Sequence, residues 1–269
     1  MLPTTTTRVI SGAILLAGVL AALWFLAPIY LLGVAVIFAL LAFREYADIA
    51  ARAGAAVSRP AAGMATALSC IAAGVPGLPV EVALVGAMLG LSAVGLAGAT
   101  TGAGRGEALH NAAISAFAAL YLGLPLGILA QIRWTLGREA TLLLIVTVVI
   151  SDTAQYYTGR WLGRHPLAPI VSPKKTVEGA IGGFVGGVLA IAIIGHWWLA
   201  YISLPLRIGL GLAIVAFGIL GDLFESLLKR SVGVKDASTA IPGHGGVLDR
   251  IDALLFAAPV FYVFVRYRF

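Results

Sequence analysis

Long apolar runs separated by short polar stretches dominate the chain. A helix needs roughly 20 apolar residues to cross the hydrocarbon core of a bilayer. On that ruler the sequence predicts spans at 8–27, 29–43, 62–79, 82–100, 111–130, 140–158, 177–199, 204–223 and 252–267, about nine in all. The runs are continuous, not ten-residue stretches of alternating hydropathy, which argues against a membrane β-barrel. The expected fold is an all-α, polytopic integral membrane protein of one membrane domain. Within it, residues 1–150 form scaffold and lipid-facing spans, and 151–269 carry the chemistry. The first run is longer than the apolar core of a cleavable signal, about 7–15 residues, so it reads as a retained span.

Composition agrees with this picture. Of the 269 residues 60% are hydrophobic and 11% charged, with a mean hydropathy of +1.00, against about 25% charged in soluble domains. The single cysteine, Cys70, has no intrachain disulfide partner and sits in an apolar run as a small packing residue. The net charge of +6 suits anionic lipid head groups or a polyanionic substrate, and no nucleic-acid partner is expected. Five of the eighteen basic residues (Arg133, Arg138, Arg207, Arg266 and Arg268) fall on the side away from the N-terminus, leaving thirteen on the N-terminal side. By the positive-inside rule that side is cytoplasmic. "GAIGGFVGG", residues 179–187, pairs Gly182 with Gly186 and Gly183 with Gly187. Such spacing lets helices approach closely in lipid. It is expected to serve packing within one chain, with a homodimer seam as the alternative.

The polar exceptions then stand out. Asp152 ends "TLLLIVTVVISD" and Asp222 ends "LAIVAFGILGD". A mid-membrane Asp costs about 2.5–3.5 kcal/mol on insertion scales, so each should face a polar cavity or a cation. Asp222, Glu225 and Lys229 follow at i, i+3 and i+7, along one side of a helix leaving the eighth span. A solvated acid–base pair is an equal reading for Glu225 and Lys229.

"KDASTAIPGHGGVLDRID", residues 235–252, crowds charges, one His and a Gly-rich turn against the start of the last span. Glycines let backbone N–H groups approach an anion, and a helix N-terminus favours phosphate. Asp249 and Asp252, one turn apart, would repel that phosphate unless a cation lay between them. Mg²⁺ takes one or two carboxylates together with substrate phosphates. A second cluster, "SPKKTVEG" at 172–179, sets two lysines beside a glutamate before another span. A plain helix boundary with snorkelling lysines is its simpler reading, but both clusters fall on the same membrane face.

"SLLKRSVGVKDASTAIPGHGGVLDRID", residues 226–252, resembles the signature of the phosphatidate cytidylyltransferase (CDP-diacylglycerol synthase) family. The matching positions are the Ser, the Lys-Arg pair, the Lys-Asp pair, the Pro, His-Gly-Gly and the closing Asp-Arg-x-Asp. "SDTAQYYTGRWLGRHPLAPIVSPKKTVEG", residues 151–179, is similar to that family's upstream block. It departs from it at "DTAQYY", where a "DTGAY"-like run is expected, leaving the roles of Gln155 and Tyr156 open. Residues 1–150 match only as a hydrophobic layout.

The resemblance implies transfer of a cytidylyl group from CTP to phosphatidate in a lipid bilayer, with Mg²⁺ and a possible second cation. The lipid phosphate would be the nucleophile, so no Ser or Cys is required. It implies Asp222 and Asp249 as metal ligands with Asp252 beside them, and Asp236 in reserve. Lys229, Arg230, Lys235 and Arg250 would hold phosphates, with Gly245 and Gly246 in the turn. Ser172, Lys174, Lys175 and Asp152 would close the site. His244 would meet a phosphate or assist the leaving pyrophosphate. The site would face the cytoplasm, and the membrane would be the plasma membrane if the cell is bacterial. The alternatives are a CTP-dependent lipid-alcohol kinase and an ion-coupled transporter built on Asp152 and Asp222. The DG-x-x-AR motif of CDP-alcohol phosphatidyltransferases does not occur.

Overall fold

The computed structural model describes residues 18, 21–100, 104–238 and 245–267. Among the described residues the regular structure is helical except for one two-stranded sheet. Its helices are α1 (Pro28–Arg52), α2 (Arg59–Gly74), α3 (Val80–Thr100), α4 (Arg105–Ala118), α5 (Leu124–Thr135), α6 (Gly137–Leu162), α7 (Val177–Trp198), α8 (Leu204–Ser231) and α9 (Leu248–Tyr267). A π-helical turn, Ala119–Gly123, joins α4 to α5. Two compact units result. The first is Met1–Thr135 with Ser231–Arg250, and the second is Leu136–Arg230 with Ile251–Phe269.

Among the described residues six helical stretches are long and apolar enough to cross a membrane: Pro28–Arg52, Val80–Thr100, Gly106–Thr135, Gly137–Leu162, Val177–Trp198 and Leu204–Ser231. The other three expected spans differ for identifiable reasons. The run at 8–27 lies largely outside the described residues. Helix α2 stops at Gly74 after 16 residues, because the Val75 to Pro79 stretch, with Pro76, Gly77 and Pro79, cannot continue it. Helix α9 carries Asp249, Arg250 and Asp252 in its first turns and Arg266 in its last.

Two helices run well beyond their expected ends. Helix α1 continues past residue 43 to Arg52, so Arg44, Glu45 and Asp48 are helical. Helix α8 continues past residue 223 to Ser231. Its 28 residues reach about 42 Å, more than the hydrocarbon core requires.

In the first unit, small residues set the helix spacing. A Cβ on Gly123 or Gly127 would collide with the carbonyl oxygen of Thr66 or Cys70 on α2, and Cys70 is fully buried there. Tyr46 of α1 donates to the Ile114 carbonyl at 3.0 Å, just before the π turn, and its ring packs with Phe117 and Tyr121. Helix α3 leaves most of its apolar side chains exposed or half-buried and fully buries only Leu91, as lipid-facing helices do.

In the second unit, α6 and α7 lie side by side on the glycine stripe. Cβ atoms added to Gly183 and Gly186 would stand 2.7 Å from Gln155 Cγ and 2.8 Å from Ala154 Cβ. Thr158 fills the space over Gly182. The stripe therefore packs within the chain, and Gln155 is part of that contact. The polar stretch after α6, expected as a loop running into a helix boundary, contains an antiparallel hairpin. Strand β1 (Pro166–Ala168) pairs with β2 (Ser172–Thr176), Pro166 opposite Thr176 and Ala168 opposite Ser172. Thr176 does form the expected boundary, its Oγ1 accepting from the Gly179 N–H at 3.1 Å as the N-cap of α7.

Candidate active site

The second unit gathers three carboxylates around one lysine. Gly221 explains how. A Cβ there would run into the Asp252 carbonyl and lie 3.0 Å from Phe256 Cδ2, so only glycine lets α8 and α9 touch at this level. Asp222 on α8 and Asp252 on α9 are thereby brought to the same place. Lys175 Nζ, arriving on β2, donates to Asp222 Oδ2, with the two side chains 18% and 33% exposed. Asp152 on α6 completes the group, and the charges of Asp222 and Lys175 act on both Asp152 and Asp252. Asp152 also lines a narrow crevice with Ser151, Val215 and Gly218. Three carboxyl groups share a single lysine here, a setting that suits a further cation.

Lys175 is aimed by the hairpin. Strand neighbours point to opposite faces, so Lys174 is exposed while Lys175 turns inward. The adjacent lysines expected to act together are separated by that alternation. The hairpin base is stapled by Glu178, whose Oε2 accepts from the Arg164 N–H at 3.0 Å and the His165 N–H at 3.2 Å. Its Oε1 meets His165 Nδ1 at 2.6 Å. Gly163 and Gly159 leave room for the Thr176 side chain against α6. Ser172 begins β2, half-buried.

Further along α8, Lys229 Nζ lies 2.5 Å from Glu225 Oε2, with Glu225 1% exposed. This is an internal ion pair in place of a solvated one, and it ties Lys229 to its own helix. Arg230, Lys235, Asp236 and Arg250 are exposed. Tyr156 is exposed as well and accepts from Arg160 Nη1 at 3.0 Å.

The Gly-rich turn belongs to the first unit, and there the anion is the protein's own. Glu45 of α1, 5% exposed, accepts the Val247 N–H at 2.9 Å, the Leu248 N–H at 2.7 Å and Ser238 Oγ at 2.6 Å. Asp249 Oδ2 accepts the Gly246 N–H at 2.7 Å and the Ala237 N–H at 3.1 Å. Gly245 sits at φ +83, with a hypothetical Cβ 2.8 Å from Asp249 Oδ2, and one on Gly246 would be 2.5 Å from Glu45 Oε2. The glycines make room for an anion as expected, but two carboxylates of the chain occupy the amides meant for phosphate. Residues 239–244, with His244, lie outside those described. Glu45 was not among the expected site residues. In sequence it is one acid in the polar stretch after an apolar run, and no local signal marks it.

Among the described residues no three His, Cys, Asp or Glu side chains are arranged to hold a metal ion by themselves. Asp249 gives an oxygen to main-chain amides. Asp222 and Asp252 remain as a pair of hard oxygen donors, the number Mg²⁺ takes when substrate phosphates complete its shell. The donor set fits that ion on those terms.

The Cytidylyltransferase family model matches residues 6–268. A protein of Synechocystis sp. named phosphatidate cytidylyltransferase is 46% identical over 130 residues, 48% of this chain and 44% of the relative. One of that name from Helicobacter pylori is 38% identical over 192 residues, 71% of this chain and 67% of the relative. One from Thermotoga maritima is 35% identical over 162 residues, 58% of this chain and 60% of the relative. The chain thus spans between 44% and 67% of the length of these relatives.

Proposed function

Since the chain belongs to the Cytidylyltransferase family, we propose that it transfers a cytidylyl group from CTP to phosphatidate, releasing pyrophosphate and forming CDP-diacylglycerol. The observation that carries this reading is the Lys175–Asp222 pair with Asp152 and Asp252 within electrostatic range of it. An oxygen of the phosphatidate phosphate attacks the α-phosphorus of CTP. The new O–Pα bond forms as the bond from Pα to the bridging oxygen of pyrophosphate breaks. Asp222 and Asp252 would hold Mg²⁺, which would supply screening of the phosphate charge that otherwise keeps two polyanions apart. Lys175 pairs with Asp222 and would offer its ammonium to the substrate phosphates. Catalysis is positioning and charge stabilisation. Lys229, Lys235, His244, Asp249 and Arg250 are assigned to nucleotide and metal on the sequence signature.

The same reading includes nine crossings, with 8–27, α2 and α9 completing the six. It also places the N-terminus and the site on the cytoplasmic side, by the bias of basic residues. The protein purified in detergent, given CTP, phosphatidate and Mg²⁺ with and without chelator, tests it. Chelator-sensitive release of pyrophosphate with CDP-diacylglycerol as product is expected. Release of CDP would identify a lipid-alcohol kinase instead, and no turnover at all would return the carboxylates to an ion-coupled carrier.

A further inference from the structure

Glu45 is a carboxylate buried on a helix long and apolar enough to cross a membrane. Removing such a group from water costs several kcal/mol unless hydrogen bonds fill its lone pairs. Here Ser238 Oγ and the Val247 and Leu248 N–H groups fill them, at a helix N-terminus whose dipole adds to the attraction. The contact joins positions 202 and 203 residues apart, so local folding does not produce it. Gly246 is shaped to it, since any larger residue would press on the Glu45 carboxylate. Asp249 takes the neighbouring amides of Gly246 and Ala237.

We infer that Glu45 is a positioning residue for the transfer reaction, an internal anion that holds the first turn of α9, and with it Asp249 and Arg250, in the reacting arrangement. Glu45 touches no substrate. It does for the turn what a bound phosphate would otherwise do, so that the turn is ordered before the nucleotide arrives. This inference rests on the proposed cytidylyl transfer.

The test uses Glu45→Gln, which keeps the size but loses one acceptor oxygen, and Glu45→Asp, which keeps the charge with shorter reach. Amide exchange of the peptide covering 245–252 and steady-state kinetics with CTP, phosphatidate and Mg²⁺ are measured on the full chain in detergent. In Glu45→Gln, exchange over 245–252 should quicken about tenfold or more, with peptides from α6 and α8 unchanged. Its kcat per folded protein should fall about 100-fold, the scale of a roughly 1 Å misplacement, while KM for CTP moves far less. Glu45→Asp should recover part of both. Wild-type exchange in Glu45→Gln, or kcat per folded protein within about twofold of wild type, overturns the inference. A wild-type chain with no cytidylyl transfer defeats the proposed function instead, and the exchange result still decides whether Glu45 holds the turn.

Discussion

The contact at Gly221 predicts that one methyl group silences the site while its neighbour one turn away does not. Replacing Gly221 with Ala puts a Cβ into the Asp252 carbonyl and 3.0 Å from Phe256 Cδ2. The ring can swing aside, but the carbonyl belongs to α9 and yields only if the helices part. Overpacking of this kind costs about 1–3 kcal/mol. Separation of α8 and α9 by about 1 Å at the level of Asp222 and Asp252 should lower turnover about 100-fold. Gly218 is the control, because a Cβ there would lie 3.8 Å from Ala253 Cβ, in ordinary contact. Gly218→Ala should be neutral or stabilising by about 0.5–1 kcal/mol through helix propensity. Thermal unfolding in detergent and pyrophosphate release measure the two effects. If Gly221→Ala matches Gly218→Ala in both, α8 and α9 do not touch at the acids, and the account of the site fails.

Lys175→Met should abolish measurable pyrophosphate release while Lys174→Met keeps most of it, since strand alternation turns only Lys175 to the acids; equal losses would mean both act as general surface charge. Asp222→Asn should be inactive yet folded and membrane-inserted, and Asp249→Asn should show faster amide exchange at Gly246 along with its loss of activity, because its oxygen holds that amide. Glu178→Gln should loosen the hairpin, seen as faster exchange across 164–176 and a fall in kcat, with the rest of the chain unchanged. Gly183→Leu should prevent folding of the second unit by forcing α6 from α7; a folded but monomeric variant of a dimeric wild type would move the glycine stripe to a subunit seam.

Much of this protein is legible in its sequence because the cost of placing a side chain in lipid is local. Each apolar run declares itself, and Asp152 and Asp222 are conspicuous because an acid there is costly wherever the rest of the chain goes. The N-cap at Thr176 and the packing role of Gly182, Gly183 and Gly186 follow from short-range rules for the same reason. Tertiary structure decided what depended on distant partners. The pentapeptide "SPKKT" has no apolar alternation to announce a strand, and only its pairing with β1 separates Lys175 from Lys174. Nothing in the sequence singles out Gly221 until the Asp252 carbonyl lies against it. The Gly-rich turn reads as a place for an anion, but that Glu45 accepts its Val247 and Leu248 amides depends on a residue some two hundred positions earlier. Hydropathy and backbone preference act over a few residues, whereas a hydrogen bond forms between whichever groups the fold has made neighbours.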